Sequence, residues 1–360
     1  MIIELSPSLV EMAQKSSENL RLVTEKLELL WLAQREGNHI LFAEIDVAES
    51  LLSIIGQTSS SARSLLQRLV NQYPKTASLA YYVLRKLLVG EFSDRRLELR
   101  DKVIHCHPAL INSNMIQKSI LLVENLNDAD FYEWITRQTF RKSEFGTVHL
   151  EFEGYPGGGD TTANAYTRIK EKSFRLCLCI VDSDIRAPGT EPGTTAKKVL
   201  LDDKKNPLPR AQTHVISVCS IENLIPFSAY EHVWQDDLEL TNRLDTYRAH
   251  YRDGHWRYLQ LKKHTTCFEI HGESAFSKYW RPLLSQSTEG CTDKICATKK
   301  HCEQKKLIQL SSSPLSATQA HLENISIEIT DLLPDIRSAW EMIAIDILTW
   351  CCAPPRSAVA

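Results

Sequence analysis

Several things are missing from this 360-residue chain, and each absence narrows what it can be. No apolar run approaches the roughly 20 residues that a membrane-spanning helix needs. The opening stretch MIIELSPSLVEMAQKSSENL has no basic segment followed by an apolar one, so no secretory leader is expected. A cytoplasmic protein without a membrane partner is the expectation. No Walker A loop is present, which argues against nucleotide hydrolysis of the P-loop kind. The ten cysteines contain no C-x-x-C, and several, such as Cys177, Cys179 and Cys219, sit inside apolar runs where buried free thiols are expected. An excess of one charge is also lacking. Lysine and arginine total 42 against 45 acids, a net charge of −3, which neither marks nor excludes a nucleic-acid ligand. No internal repeat is visible, so a solenoid is not expected.

What is there reads as an ordinary globular chain, 43% hydrophobic and 24% charged. Residues 1–112 read as an all-helical N-terminal region. Leu20, Val23, Leu27 and Leu30 recur at helical steps, as do Leu41, Ile45, Ala48, Leu52 and Ile55, with further helices at Ala62–Val70 and Leu79–Val89. The basic side chains of this region are expected to form solvated helix faces. From about residue 113 to 284 short apolar strands alternate with helices: strands Ser119–Glu124, Thr147–Phe152, Arg175–Val181 and Thr213–Cys219, and helices Asp130–Phe140, Thr162–Lys172 and Thr194–Leu201. Such alternation predicts an α/β domain with a mostly parallel sheet flanked by helices. Tyr258–Leu261 and Cys267–His271 look strand-like. Residues 285–318 read as a polar insertion or linker, and residues 319–360 as C-terminal helices at Leu322–Leu333 and Asp335–Trp350.

Ligands of open parallel sheets gather beyond the carboxyl ends of the strands. Three such ends carry acids here: Glu124, the pair Asp182/Asp184, and Glu222 followed by Asn223. In extended chain residues i and i+2 face the same way, so Asp182 and Asp184 are expected to offer two carboxylates to one cation. Clustered carboxylates favour Mg²⁺ or Mn²⁺. Asp128 and Glu222 would serve a second ion. The loop Gly157-Gly158-Gly159-Asp160 suits either a phosphate at a helix start or a permissive turn. Cys291, Cys296, His301 and Cys302, with Cys267, raise a zinc reading, although their spacing is loose for a structural site.

The order Ile120-Leu121-Leu122-Val123-Glu124 with Asp128, then Asp182-Ser183-Asp184, then Ser220-Ile221-Glu222-Asn223-Leu224-Ile225-Pro226 resembles the Toprim domain, in particular that of the OLD-family nucleases of anti-phage systems. The resemblance covers about residues 115–230. It implies a metal-dependent nuclease, with Glu124 as acid/base or metal ligand, Asp182 and Asp184 as ligands, and Glu222 as ligand of a second ion. It further implies DNA or tRNA as substrate, an ATPase or sensor protein as partner, and homo-oligomers. Lys262 and Lys263 fall where such nucleases carry a lysine, and Lys263 is taken as the catalytic one. Toprim motifs usually have glycine after the first glutamate; here Asn125 stands there, a residue that tolerates left-handed backbone. Two rival readings remain. One is a haloacid-dehalogenase-like phosphatase with Asp182 as nucleophile, although Ile185-Arg186 and the earlier strand–Glu124 unit have no place in that scheme. The other is a degenerate Toprim fold acting as a binding or sensor module.

Overall fold

Strands of three or four residues are too short to show a clear alternation, and this conceals much of the N-terminal region from a reading of the sequence. The computed structural model describes residues 1–93, 96–141, 149–284, 304–322, 325 and 327–355. It falls into two compact units that interleave along the chain, Met1–Ile180 with Val199–His214 and Met342–Ala360, and Val181–Lys198 with Val215–Glu341. The boundaries expected at 112/113 and 284/285 therefore do not coincide with the limits of these units.

In the first unit, strands β1 (Ile2–Leu5), β2 (Ile40–Ala43), β3 (Lys86–Val89), β4 (Glu98–Arg100) and β5 (Val103–Cys106) form a sheet in the order β2-β1-β3-β5-β4. All its pairings are parallel except β4 with β5. The expectation of an all-helical N-terminal region is thus corrected. Helices α1 (Ser8–Lys15), α2 (Ser17–Arg35), α3 (Ile45–Ile55) and α4 (Ser60–Tyr82) are present. They alternate with strands that were read as helix. The helical spacing seen from Leu41 to Ile55 spans a strand, an extended Glu44 and then α3. The segment Leu79–Val89 likewise holds the end of α4 and all of β3.

The second sheet of this unit contains the expected alternation. Strands β6 (Ser119–Val123), β8 (Phe152–Pro156), β9 (Cys177–Val181) and β10 (Ala211–Val215) are ordered β10-β9-β6-β8, and β7 (His149–Leu150) lies outside this sheet. Strand β6 runs parallel to both neighbours, with Leu121 opposite Leu178 on one side and Gly154 on the other. Every residue of β6 and of β9 is buried, as their unbroken apolar runs require in a sheet covered on both faces. Helices α5 (Leu126–Phe140) and α6 (Thr162–Lys172) follow β6 and β8. The α/β class with a parallel sheet flanked by helices is what the fold displays.

The other unit is built on aromatic side chains. Helix α7 (Thr194–Lys205) begins in this unit and belongs to the first from Val199 on, and α8 (Phe227–Trp234) and α9 (Leu238–Arg252) precede a turn at Trp256–Tyr258. Trp256 is buried and meets Phe227, Tyr230, Tyr247 and Tyr251 edge-on, with centroids 5.5–6.3 Å apart. Such pairs each add about 0.5–1.5 kcal/mol beyond burial. The expected strands at Tyr258–Leu261 and Cys267–His271 do not form. The first begins in that turn and the second is the short helix α10 (Cys267–Ile270). Its cause is legible in Thr266-x-x-Glu269, a capping box in which the Thr266 N–H donates to Glu269 Oε2 at 2.8 Å. Helix α11 (Ala275–Leu284) follows, and β11 (Thr265–Thr266) pairs antiparallel with β12 (Lys305–Leu307). The helix expected at Leu322–Leu333 is reduced, among the described residues, to a turn at Ile329–Asp331. Pro334 then opens the helix Pro334–Cys351, the first helical position being where proline is tolerated.

One buried ion cluster stabilises the first unit. The Lys170 side chain is 2% exposed and reaches Asp202 at 2.7 Å and Asp203 at 3.0 Å. Burial pushes the Asp202 carboxyl up, but Lys170, Asn206 and Thr167 outweigh it and hold the group below its usual value. A depressed carboxyl stabilises the fold above its unfolded value, near pH 4, and that contribution is lost as pH falls. Lys170→Met should therefore cost about 3 kcal/mol in urea unfolding at pH 7. Its stability should also fall less steeply than that of the wild type below about pH 4. A cost under about 1 kcal/mol would mean that the cluster contributes no more than a surface pair.

Candidate functional site

The end of β9 runs directly into Asp182-Ser183-Asp184, and the local hydrogen bonds explain why these three residues behave differently. Ser183 is fully buried; its hydroxyl donates to the Val218 carbonyl at 2.5 Å and accepts from the Ile185 N–H at 3.2 Å. Its carbonyl accepts from the Gly193 N–H at 2.7 Å, and the Asp184 N–H donates to the Cys219 carbonyl at 2.8 Å. With Ser183 committed inward, Asp182 is half-buried and Asp184 exposed. The extended geometry assumed for the pair is corrected at Asp184, whose φ is 52°. Left-handed backbone costs an L-residue roughly 1–2 kcal/mol, although Asp tolerates it better than most. Such strain is characteristic of functional positions.

Glu222 lies in the single turn Ile221–Leu224, opened by a capping box between Ser220 and Asn223. Four further bonds fix this turn. Asn223 Nδ2 donates to the carbonyls of Trp256 and Leu259, Trp256 Nε1 donates to the Asn223 carbonyl, and Trp340 Nε1 donates to the Leu224 carbonyl. The turn presents the Ile221 N–H to Asp182 Oδ1 at 2.9 Å. Glu222 itself is only 3% exposed. One of its oxygens pairs with Lys262 Nζ at 3.0 Å, whereas Oε2 is buried with no hydrogen-bond partner. Burial pushes the Cys219 thiol up, and the carboxylates of Asp182, Asp184 and Glu222 push it further, so all three acids lie within electrostatic reach of one sulfur.

Lysine placement differs from expectation in one respect. Lys263 is exposed, and it is its neighbour Lys262 that engages Glu222. Two participants went unnoticed in the sequence. Arg186 pairs with Glu269 at 2.9 Å and stacks on Phe276, while its carbonyl accepts from Trp280 Nε1, and together these tether the loop after Asp184. Gly193 passes so close to Asp184 that a β-carbon there would stand 2.3 Å from Oδ2 and 2.6 Å from Cβ of that residue. The sequence signal for Gly193 is only a Gly/Pro-rich loop, which does not single it out.

In the first unit, Glu124 follows β6 and is half-buried, within electrostatic reach of the Cys179 thiol. Asn125 is the N-cap of α5 in extended backbone, φ −129°, so glycine is not required there and no left-handed turn occurs. Asp128 completes that capping box, its Oδ2 accepting from the Asn125 N–H at 2.9 Å. One oxygen expected to ligate a metal is thereby assigned to the helix start. The glycine loop is similarly committed. The Gly157 and Gly158 N–H groups donate to the carbonyls of Val123 and Glu124, at 2.7 and 3.0 Å. Gly158 and Gly159 have φ of 75° and 60°. Of the two readings of this loop, these bonds support a turn that pins the end of β8 to the end of β6.

Cys267 is buried, and Cys291, Cys296, His301 and Cys302 lie outside the described residues. Among the described residues no group of three or more His, Cys, Asp or Glu side chains is gathered as a ready-made metal cage. The donors of Asp182, Asp184 and Glu222 are all oxygen, the kind Mg²⁺ or Mn²⁺ takes, and Oε2 of Glu222 is buried with no hydrogen-bond partner. Mg²⁺ is commonly held by one or two carboxylates, waters and substrate phosphate, without an all-protein cage. Among the described residues no helix is long and apolar enough to cross a membrane. No family model, curated protein or solved structure matches the chain.

The contact of Gly193 with Asp184 makes a direct prediction. Gly193→Ala should destabilise the protein by about 1–3 kcal/mol through overpacking. The same change made in an Asp184→Gly background should cost much less. Equal costs in the two backgrounds, measured by chemical denaturation, would show that the close approach is not what requires glycine at 193.

Proposed function

We propose that the chain is a Mg²⁺- or Mn²⁺-dependent phosphodiesterase of the Toprim type that cleaves DNA or tRNA. The observation that carries this reading is the set Asp182, Asp184 and Glu222, whose charges all act on the buried Cys219 thiol, one of these acids being strained in backbone and another buried with an oxygen unpartnered. A buried carboxylate such as that of Glu222 is held at a cost, and a divalent cation with a phosphodiester is a ligand that would offset it. When bound, such an ion supplies Lewis-acid polarisation of the phosphate and lowers the pKa of a coordinated water. Asp182 and Asp184 orient the site through their fixed backbone, and Glu222 adds charge from its capped turn. Lys262 counters charge on the phosphate once released from Glu222, or Lys263 does so from its exposed position. The resemblance assigns Glu124 a role as acid/base or metal ligand. The same resemblance supports an effector role in cytoplasmic anti-phage defence, beside an ATPase or sensor protein and as a homo-oligomer.

A catalytically silent Toprim-like binding module is favoured by the Asp128 cap and by the lack of a ready-made cage among the described residues. One assay separates the readings. Purified chain, with plasmid, single-stranded DNA and tRNA in turn, should cleave at least one substrate with Mn²⁺ or Mg²⁺ and none with EDTA. Glu124→Ala and Asp182→Ala should each lower the rate by about 100-fold or more. Metal-independent cleavage, or full activity in both variants, would refute the assignment, and a phosphoenzyme at Asp182 would establish the phosphatase instead.

A further inference from the structure

The first unit contains a cavity of about 940 Å³ whose wall combines guanidinium groups with apolar side chains. Arg85, Arg96, Arg100 and Arg210 line it together with Phe174 and Met115. Two of these charges are answered locally, since Arg96 and Arg100 both pair with Glu98. The other acid on the wall, Asp203, is occupied by Lys170 and by the Tyr166 hydroxyl. Arg85 and Arg210 meet no carboxylate within ion-pair distance among the described residues. Arg210 is 7% exposed; its Nη2 donates to the Lys170 carbonyl, and its Nη1 is buried with no hydrogen-bond partner. Its guanidinium lies 5.5 Å from the centre of the Phe174 ring, itself 51% exposed, and Arg85 lies 5.3 Å over Trp350. Burial pulls both guanidiniums below the ordinary arginine value. An anion entering the cavity would relieve that cost.

We propose that this cavity binds a nucleotide, with its phosphate against Arg85 and Arg210 and its base against Phe174. The volume falls within the range of small-molecule sites, roughly 300–1,000 Å³. Guanidinium forks match phosphate oxygens in geometry, and an exposed aromatic ring accepts any base by stacking. A bare inorganic anion would answer the arginines and leave the apolar wall in water. Met115 and Phe174 precede β6 and β9, whereas Glu124 follows β6, so this ligand sits at the opposite end of the strands from Glu124. It is therefore an effector or a second ligand, and its binding is independent of the nuclease reading.

Isothermal titration of the full chain, without divalent metal, tests this with the four ribonucleoside monophosphates, adenosine and inorganic phosphate. At least one nucleotide should bind about tenfold or more tightly than both phosphate and adenosine. Arg85→Gln should weaken nucleotide and phosphate alike by about tenfold. Phe174→Ala should weaken the nucleotide by a similar factor and leave phosphate unchanged. Arg210 is not the test position because it also holds the Lys170 carbonyl. Should Arg85→Gln fail to fold, the exposed Phe174 decides the matter alone. No nucleotide binding tighter than phosphate, or binding indifferent to both substitutions, would overturn the proposal.

Discussion

A carboxylate taken out of water must be compensated, and Glu222 is compensated only in part. Lys262 answers one oxygen while the other faces no donor. The fold tolerates this because the turn that carries Glu222 cannot relax. Its capping box, the grip of Asn223 on the Trp256 and Leu259 carbonyls and the indole N–H groups of Trp256 and Trp340 tie it to the residues around it. Removing such a buried partner is expensive, whereas the net gain of each bond is about 1 kcal/mol. The rigid turn also delivers the Ile221 N–H that donates to Asp182 Oδ1. The placement of two of the three acids therefore depends on one short capped turn.

The same economy of backbone bonds appears at the carboxyl ends of β6 and β8. There the glycine loop gives its N–H groups to the carbonyls of Val123 and Glu124, and Asp128 gives an oxygen to the start of α5. Residues that look like ligands in a one-dimensional reading serve as caps and ties in three dimensions. Buried backbone groups must be satisfied before side chains become available for chemistry.

How much of this was legible depended on the kind of signal. Long apolar runs such as SILLV and CLCIV announce buried parallel strands, and the alternation around them gave the α/β class and the strand ends that carry Glu124 and Asp182. The N-terminal sheet was not legible. Its strands are three or four residues long, and some abut helices whose periodicity absorbs them, as at Leu41 beside Ile45–Ile55. Of the candidate acids, the strain at Asp184 has no sequence signature, because it arises from Ser183 turning inward and from Gly193 crossing nearby. The preference for Lys262 over Lys263 at Glu222 depends on which of two adjacent side chains faces the turn, and composition does not distinguish them. By contrast Thr266-x-x-Glu269 was a readable helix start that strand-like hydrophobicity outweighed.

The central claim is that Asp182, Asp184 and Glu222 form a centre for a divalent cation. Mn²⁺ titration followed by electron paramagnetic resonance measures this directly, without reference to any substrate. Wild-type chain should sequester Mn²⁺ that an Asp182→Asn, Asp184→Asn double variant, folded to the same melting temperature, leaves in solution. Equal sequestration by the two proteins, or none by the wild type, would contradict it.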